Sequence, residues 1–399
     1  MYKIVLTTAE VKNYLGTAKV SDGLRSVAFD FETAPDEQYR DEPKAALDPH
    51  KSHIVGISFS VAEDSGTYVP LTHKVGKNVS DSVELWKFLA EFFADTTVVK
   101  IAHHLAFESM FLYSRGIVVQ EPCYDTIAAS QLTLKGNTGY RKLSDSGLKT
   151  LVPQLLGVEL PTFGEVTGGR HFDELDPADS ETIRYACADS DYALRLYHLF
   201  NGWFDKYMPK HRFIVEQIES PTAVFVGLMK YNGLFVDRAL MDEKSVEAEA
   251  KLADIKEKIA FIIGDVNIGA NCSTSAFKQY LYKDLGLPVL KTTAKFQEAA
   301  DDQAMVMLAE WCETNRPDLV PLFKLVHEYR KWGKLKSTYI EGYLRHINAT
   351  TGRIHADLMP LATETGRFAA RNPNLQNMPR AGADEVGIRN FFVAPRARL

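Results

Sequence analysis

The sequence predicts an α/β first half followed by a largely helical second half, and two observations carry this. Up to about residue 200, short apolar runs alternate with amphipathic stretches, whereas beyond residue 210 long charged stretches place an apolar residue every three or four positions. A chain of 399 residues also exceeds what one hydrophobic core usually supports, so more than one domain is expected. With 45% hydrophobic and 25% charged residues, the composition excludes widespread disorder and a fibrous architecture.

The elements follow in order. Ser26 to Phe31 (SVAFDF), His53 to Val61 and Thr67 to Leu71 are strand candidates, the last two forming a hairpin across turn residues Glu63 to Gly66. Val83 to Phe93 has helical apolar spacing, Thr97 to Ala102 is strand-like, and Ala106 to Tyr113 returns to helical spacing. In the second half, Asp242 to Ile263 and Asp318 to Ile347 are the long helices. Asn348 to Gly352 then makes a turn and Arg353 to Met359 a strand. The boundary between the halves falls near residues 202–212.

Net charge is −6, so any nucleic-acid contact must come from local Lys and Arg clusters rather than an overall basic field. The four cysteines, Cys123, Cys187, Cys272 and Cys312, lack metal-ligand spacing and are expected to be core thiols in a reducing compartment. No run approaches the ~20 apolar residues that span a membrane, and the N-terminus has no signal-peptide pattern, so a soluble intracellular protein is expected.

Three short patterns carry chemistry. In Asp30-Phe31-Glu32-Thr33, strand alternation projects Asp30 and Glu32 together while Phe31 turns to the opposite layer, which gives half a metal site. In Tyr185-Ala-Cys-Ala-Asp189, one helical turn puts the tyrosine hydroxyl and the carboxylate on the same face, with Asp191 off that face and structural. In Ile101-Ala-His-His-Leu-Ala-Phe-Glu108, a strand-like run passes into a helix whose Glu108 can point back at the strand ends. Each has a plainer alternative: a polar strand end, an exposed helix face, a surface glutamate beside a loop histidine, His104.

Together and in this order, the three patterns resemble the DnaQ-like 3′→5′ exonucleases of the type ending in Tyr and Asp. The likeness includes Tyr124-Asp125-Thr126 and Leu143 to Gly157, which look like the intervening helices of the proofreading domain in polymerases of the bacterial DNA polymerase I type. The resemblance implies an α/β, RNase H-like domain with a mixed sheet over residues 1–205. It implies a site in which Asp30, Glu32, Glu108, Tyr185 and Asp189 are catalytic, with the four carboxylates holding two Mg2+ ions, or Mn2+ in their place. Asp30, Glu32 and Asp189 would hold the ion that generates hydroxide, Asp30 and Glu108 would serve the second, and Tyr185 would hydrogen-bond the attacking water. His104 would contact DNA. The family usually carries Asp where Glu108 stands and commonly Asn where His104 stands, and the extra methylene of Glu108 would shift the second ion.

The second half resembles the family A DNA polymerases. The motif is Thr363-Glu-Thr-Gly-Arg-Phe-Ala-Ala-Arg-Asn-Pro-Asn-Leu-Gln-Asn-Met-Pro379, supported by Glu328 to Tyr339, Thr351 to His355 and Ile388 to Pro395. That implies a helical thumb over 206–347 and a short β-containing palm fragment over 348–399. Lys331, Lys334, Lys336, Ser337 and Thr338 combine charge with short hydroxyls, as phosphate contact without sequence reading requires. Arg367, Asn374, Gln376 and Asn377 supply donors for minor-groove acceptors. By the same resemblance the chain stops before the first palm aspartate and begins at the proofreading fold, so no polymerisation and no 5′-nuclease domain are expected. DNA is the expected partner, together with a second chain carrying the rest of the palm and the fingers, docked on apolar surface near Phe391 and Phe392. The competing expectations are a weakly active or inactive DNA-binding part of a split polymerase and, less in keeping with a thumb, a ribonuclease.

Overall fold

The computed structural model describes residues 1–134, 146–363, 365–380, 382 and 384–394. Part of the expected Leu143 to Gly157 segment, along with Glu364 and Pro395 of the polymerase motifs, lies outside them.

The chain forms two compact units, Met1–Gly233 with Ala356–Arg371, and Leu234–His355 with the remainder. The first is built on strands β1 (Tyr2–Ile4), β2 (Val20–Ser21), β3 (Leu24–Pro35), β4 (Ser52–Ala62), β5 (Ser65–Pro70), β6 (Val98–Ala102) and β7 (Cys123–Asp125). They form one mixed sheet in the order β1-β5-β4-β3-β6-β7, with β2 on β3. The β3-β4-β5 meander is antiparallel, whereas β6 joins β3, β7 joins β6 and β1 joins β5 in parallel. The β4–β5 hairpin is tighter than its sequence implies: Ala62 pairs with Ser65, leaving a two-residue turn at Glu63 and Asp64, the latter at φ 57°.

Alternation along β3 sorts its side chains. Val27, Phe29 and Phe31 enter one core layer with Leu85, Leu89 and Phe93, while Ala28 belongs to the layer on the other side. Helices of this unit are α1 (Thr8–Leu15), α2 (Ser82–Ala94), α3 (Leu105–Ser114), α4 (Thr126–Leu134), α5 (Leu148–Leu156), α6 (Phe163–Thr167), α7 (Ser180–Tyr207), α8 (Pro209–Ile214) and α9 (Ser220–Asn232). The long α7 starts where the Asp179 side chain accepts the Thr182 N–H, and it packs across β3, β4 and β5.

The boundary expected near 202–212 falls inside this unit, because α9 packs closely on α3. Gly227 makes that approach possible, since a Cβ there would lie 2.4 Å from the Ala106 carbonyl oxygen. The expected strand Arg353 to Met359 is two short ones. Arg353–Ile354 pairs with Leu234–Phe235 in the second unit, and Asp357–Met359 pairs with Ala369–Arg371 in the first, where Asp357 also meets Lys230 at 2.6 Å.

The second unit is mainly helical: α10 (Arg238–Ile263), α11 (Ser275–Gln279), α12 (Asp302–Asn315), α13 (Val320–Lys334), which runs on through a π-turn, and α14 (Glu341–Leu344). Arg330 ties its loops together by donating to the carbonyls of Asn271, Cys272 and Ala300 and pairing with Asp302. All four cysteines are buried free thiols. Little of the apolar surface expected near Phe391 and Phe392 is there: Phe391 is fully buried, its carbonyl accepts the Asp237 N–H, and the half-buried Phe392 packs edge-on against Tyr343, which leaves Val393 exposed beside them. The short helical turn Ile388–Phe391 folds these rings back into the unit's own core, so the docking surface proposed for a second chain loses its basis. Among the described residues, no helix is long and apolar enough to cross a membrane.

Candidate metal centre

Strand and helix spacing together assemble a carboxylate cluster. Alternation points Asp30 and Glu32 away from the layer holding Phe29 and Phe31, and α7 brings Tyr185 and Asp189, one turn apart, to the same place. One carboxylate oxygen from each of Asp30, Glu32 and Asp189 lies within 4.8 Å of the others. Glu32 is buried, and its Oε1 has no hydrogen-bond partner among the described residues. A buried acceptor left unpaired in a ring of acids is costly unless a cation completes it. Three hard oxygen donors are what magnesium and manganese take, so these residues fit a divalent ion.

Glu108 stands apart. It is buried rather than on the surface, and its Oε2 accepts the Phe31 backbone N–H at 3.2 Å, so it braces the strand that carries Asp30 and Glu32 instead of joining the three. His104 precedes α3 at φ 82°, exposed, with its ring stacked on Phe107 and its backbone N–H given to Asp125. Asp191 is structural, as its position off the face implies: it is fully buried between the Tyr2 hydroxyl at 2.7 Å and the Arg195 guanidinium.

Burial holds the carboxyls of Asp30, Glu32 and Glu108 well above the usual carboxylate range, and repulsion adds to it, from Asp189 on all three and from Asp30 on the two glutamates. Asp189 is also raised by burial. Burial and the three nearby carboxylates push the Tyr185 phenol up, so it is protonated throughout the neutral range.

In the second unit, Lys334, Lys336, Ser337 and Thr338 line a cleft of about 790 Å³. Lys334 and Thr338 also border a second cleft, of about 550 Å³, with Asn374, Gln376 and Asn377. Lys331 instead pairs with Glu385 at 2.5 Å, Lys336 pairs with Glu249 and Glu341, and the Ser337 hydroxyl donates to the Gly333 carbonyl. Arg367 belongs to the first unit, so the structure does not gather it with the three amides in one compact body.

A family model described as 3'-5' exonuclease matches residues 2–202, and one described as DNA polymerase family A matches residues 238–399. The chain belongs to DNA polymerase family A. Its relatives include DNA polymerase I of Pseudomonas aeruginosa, 30% identical over 99% of this chain and 41% of that protein. DNA polymerase I of Chloroflexus aurantiacus is 29% identical over 88% of this chain and 36% of its own length. The chain thus spans about two fifths of the curated relatives it matches. Among solved structures, the POL domain of Pol1 from M. smegmatis, in complex with DNA primer-template and dNTP, shares the fold with a TM-score of 0.72. That likeness covers 99% of this chain and 59% of that one at 19% identity.

Two residues of this family A chain beside the cluster were not singled out from the sequence. Lys149, second residue of α5, forms an ion pair with Asp189 and sets its Nζ 4.5 Å from the centroid of the Tyr185 ring. A lysine in the first turn of a helix opposes the helix dipole, and that mismatch was the available signal. Phe163, 45% exposed, stands edge-on to Tyr185 and stacks on the buried Phe172; nothing in its local sequence separates it from an ordinary surface ring.

Proposed function

We propose that this chain removes 3′-terminal nucleotides from DNA by hydrolysis and that its second unit grips the duplex. The observation that supports the first part is the convergence of Asp30, Glu32 and Asp189 around the unpaired Glu32 oxygen, within the segment that matches the exonuclease family. Asp30, Glu32 and Asp189 would hold the divalent ions, Mg2+ or Mn2+, which when bound supply a hydroxide at neutral pH and offset charge on the attacking and departing oxygens.

The protein's own groups do the rest. Tyr185, kept protonated by burial and its acidic neighbours, donates a hydrogen bond and orients the attacking water rather than acting as a base. Glu108, through the Phe31 N–H, fixes the strand that carries two of the acids. Phe163 offers an exposed ring on which a terminal base of any identity can stack. Water oxygen attacks phosphorus, the bond to the preceding 3′ oxygen breaks, and a nucleoside 5′-monophosphate leaves.

In the second unit, Lys334 and Thr338 face both clefts, and Asn374, Gln376 and Asn377 border one of them, which suits sequence-neutral contact with backbone and minor groove. Lys331 and Lys336 reach phosphate by exchanging exposed ion pairs, which are individually weak. Ser337 is committed to its helix, His104 remains a candidate for contact with the 3′ end, and Arg367 for contact from the first unit.

A second reading, a weakly active DNA-binding part of a polymerase, is favoured by the placement of Glu108 on a backbone N–H rather than among the clustered oxygens. The test is mononucleotide release from 5′-labelled single-stranded DNA with Mg2+ and with Mn2+, for the parent, Asp30→Asn and Asp189→Asn, with an RNA strand as control. Release lost in both variants supports the exonuclease. No release with either ion moves the assignment to the binding reading, and equal cleavage of RNA rejects the DNA preference.

A further inference from the structure

The ion pair between Lys149 and Asp189 sits inside the proposed metal site and has no counterpart in the mechanism above, whose metal reading it builds on. The ammonium is shared. It bonds the Asp189 carboxylate and lies over the face of Tyr185, beside the oxygens of Asp30 and Glu32 that cluster with Asp189. The lysine occupies the second position of α5, where the helix offers it no stabilisation and its dipole opposes the charge. Its side chain is 29% exposed and that of Asp189 15%, so the pair has a route to solvent. No other Lys or Arg is in an ion pair with Asp30, Glu32 or Asp189 among the described residues.

We propose that Lys149 is the resident cation of the metal-free cluster, a tethered ammonium that stands in for a divalent ion and must leave Asp189 before one can bind. A monovalent charge on a flexible stem satisfies one or two carboxylates but cannot complete a coordination shell, so it is displaced only when an ion with higher charge density arrives. The ammonium thereby offsets part of the cluster's negative charge until an ion arrives, and ion loading becomes a competition rather than a simple filling.

The test is calorimetric titration of Mn2+ into the full chain without nucleic acid, for the parent, Lys149→Met, Lys149→Arg and Asp189→Asn. Competition predicts that Lys149→Met binds about tenfold tighter than the parent, since a like charge next to the ion has been removed. Lys149→Arg, which keeps the charge, stays near the parent, and Asp189→Asn loses most binding. In parallel, Mn2+ should raise the melting temperature of Lys149→Met by more than it raises that of the parent. This second readout serves even where the methionine variant folds poorly without metal. Equal affinity in the parent and Lys149→Met, with binding still lost in Asp189→Asn, overturns the proposal while leaving the metal site standing. Absence of binding in all four chains overturns both.

Discussion

Gly227→Ala tests how closely two helices must approach to hold the proposed site. In an ordinary helix this exchange gains about 1 kcal/mol of propensity. Here the new Cβ would lie 2.4 Å from the Ala106 carbonyl oxygen, 3.1 Å from the Ser109 Cβ and 3.2 Å from the Met110 nitrogen. Two of these neighbours are backbone atoms that no rotamer change can remove. Restoring ordinary contact needs a separation of about 1 Å between α9 and α3, and overpacking of that kind costs about 1–3 kcal/mol. The net expectation is a loss of about 0–2 kcal/mol in denaturant unfolding of the first unit, against a gain had the site been open. Glu108 rides on α3 and reaches Phe31 through a single hydrogen bond, so a shift of that size should also slow nucleotide release by up to about a hundredfold. The control is Gly202→Ala on the exposed side of α7, where nothing lies within 4 Å of the new Cβ and a gain of about 0.5–1 kcal/mol is expected. If both variants are stabilised alike and both keep full activity, the close-approach argument is wrong.

Asp30→Asn should lower nucleotide release by about a thousandfold, the effect of losing several kcal/mol of charge stabilisation, while leaving the metal-free melting temperature at neutral pH unchanged or higher; a drop in stability with activity intact would refute the metal-site reading. For pH, a carboxyl whose folded pKa is raised contributes stability that is fully present below its unfolded value, near pH ~4, and lost as pH rises through the folded value. In chelator, then, the parent should lose melting temperature relative to Glu32→Gln on going from mildly acidic to neutral pH; the opposite slope of that difference would contradict the burial of Glu32. Glu108→Asp, one methylene shorter, should give up the Phe31 hydrogen bond at a cost of about 0.5–1.5 kcal/mol. Because that bond braces the strand carrying Asp30 and Glu32, release should slow as well, and faster release would instead favour the second reading, in which the bond withholds the carboxylate from the cluster. Arg330→Ala should destabilise the second unit by about 1.5–3 kcal/mol in denaturant unfolding, because three carbonyls lose a charged donor.

The cluster was legible because its spacings are local. Asp-x-Glu on a strand and Tyr-x-x-x-Asp on a helix each fix a shared direction by backbone periodicity alone, and the mixed sheet followed from the family resemblance those spacings supported. The pairing of Lys149 with Asp189 was not legible, because their nearness exists only once α5 packs against α7, and the lysine's place in a first turn marks the residue without naming its partner. Glu108 shows both cases: its helix and its inward aim could be read, but its choice of the Phe31 N–H depends on how α3 lies against β3. The compact first unit runs past the boundary expected near 202–212, although the exonuclease match itself ends at residue 202, for a related reason. A change from α/β to helical texture marks where composition shifts, whereas α9 is helical and still belongs to the first unit through a contact at one glycine. Phe391 was expected at an exposed edge by reasoning about what the family has further along, yet a single helical turn is enough to bury it.

The three clustered acids are separated widely along the chain, two on β3 and the third on α7, with Lys149 on a helix between. During synthesis, Asp30 and Glu32 leave the ribosome long before Asp189 is made. Until α7 has emerged and packed across the sheet, the growing polypeptide holds only two of the three oxygens. Any hydrolysis at the proposed site would therefore have to await the finished α/β fold, because the third oxygen arrives only with α7.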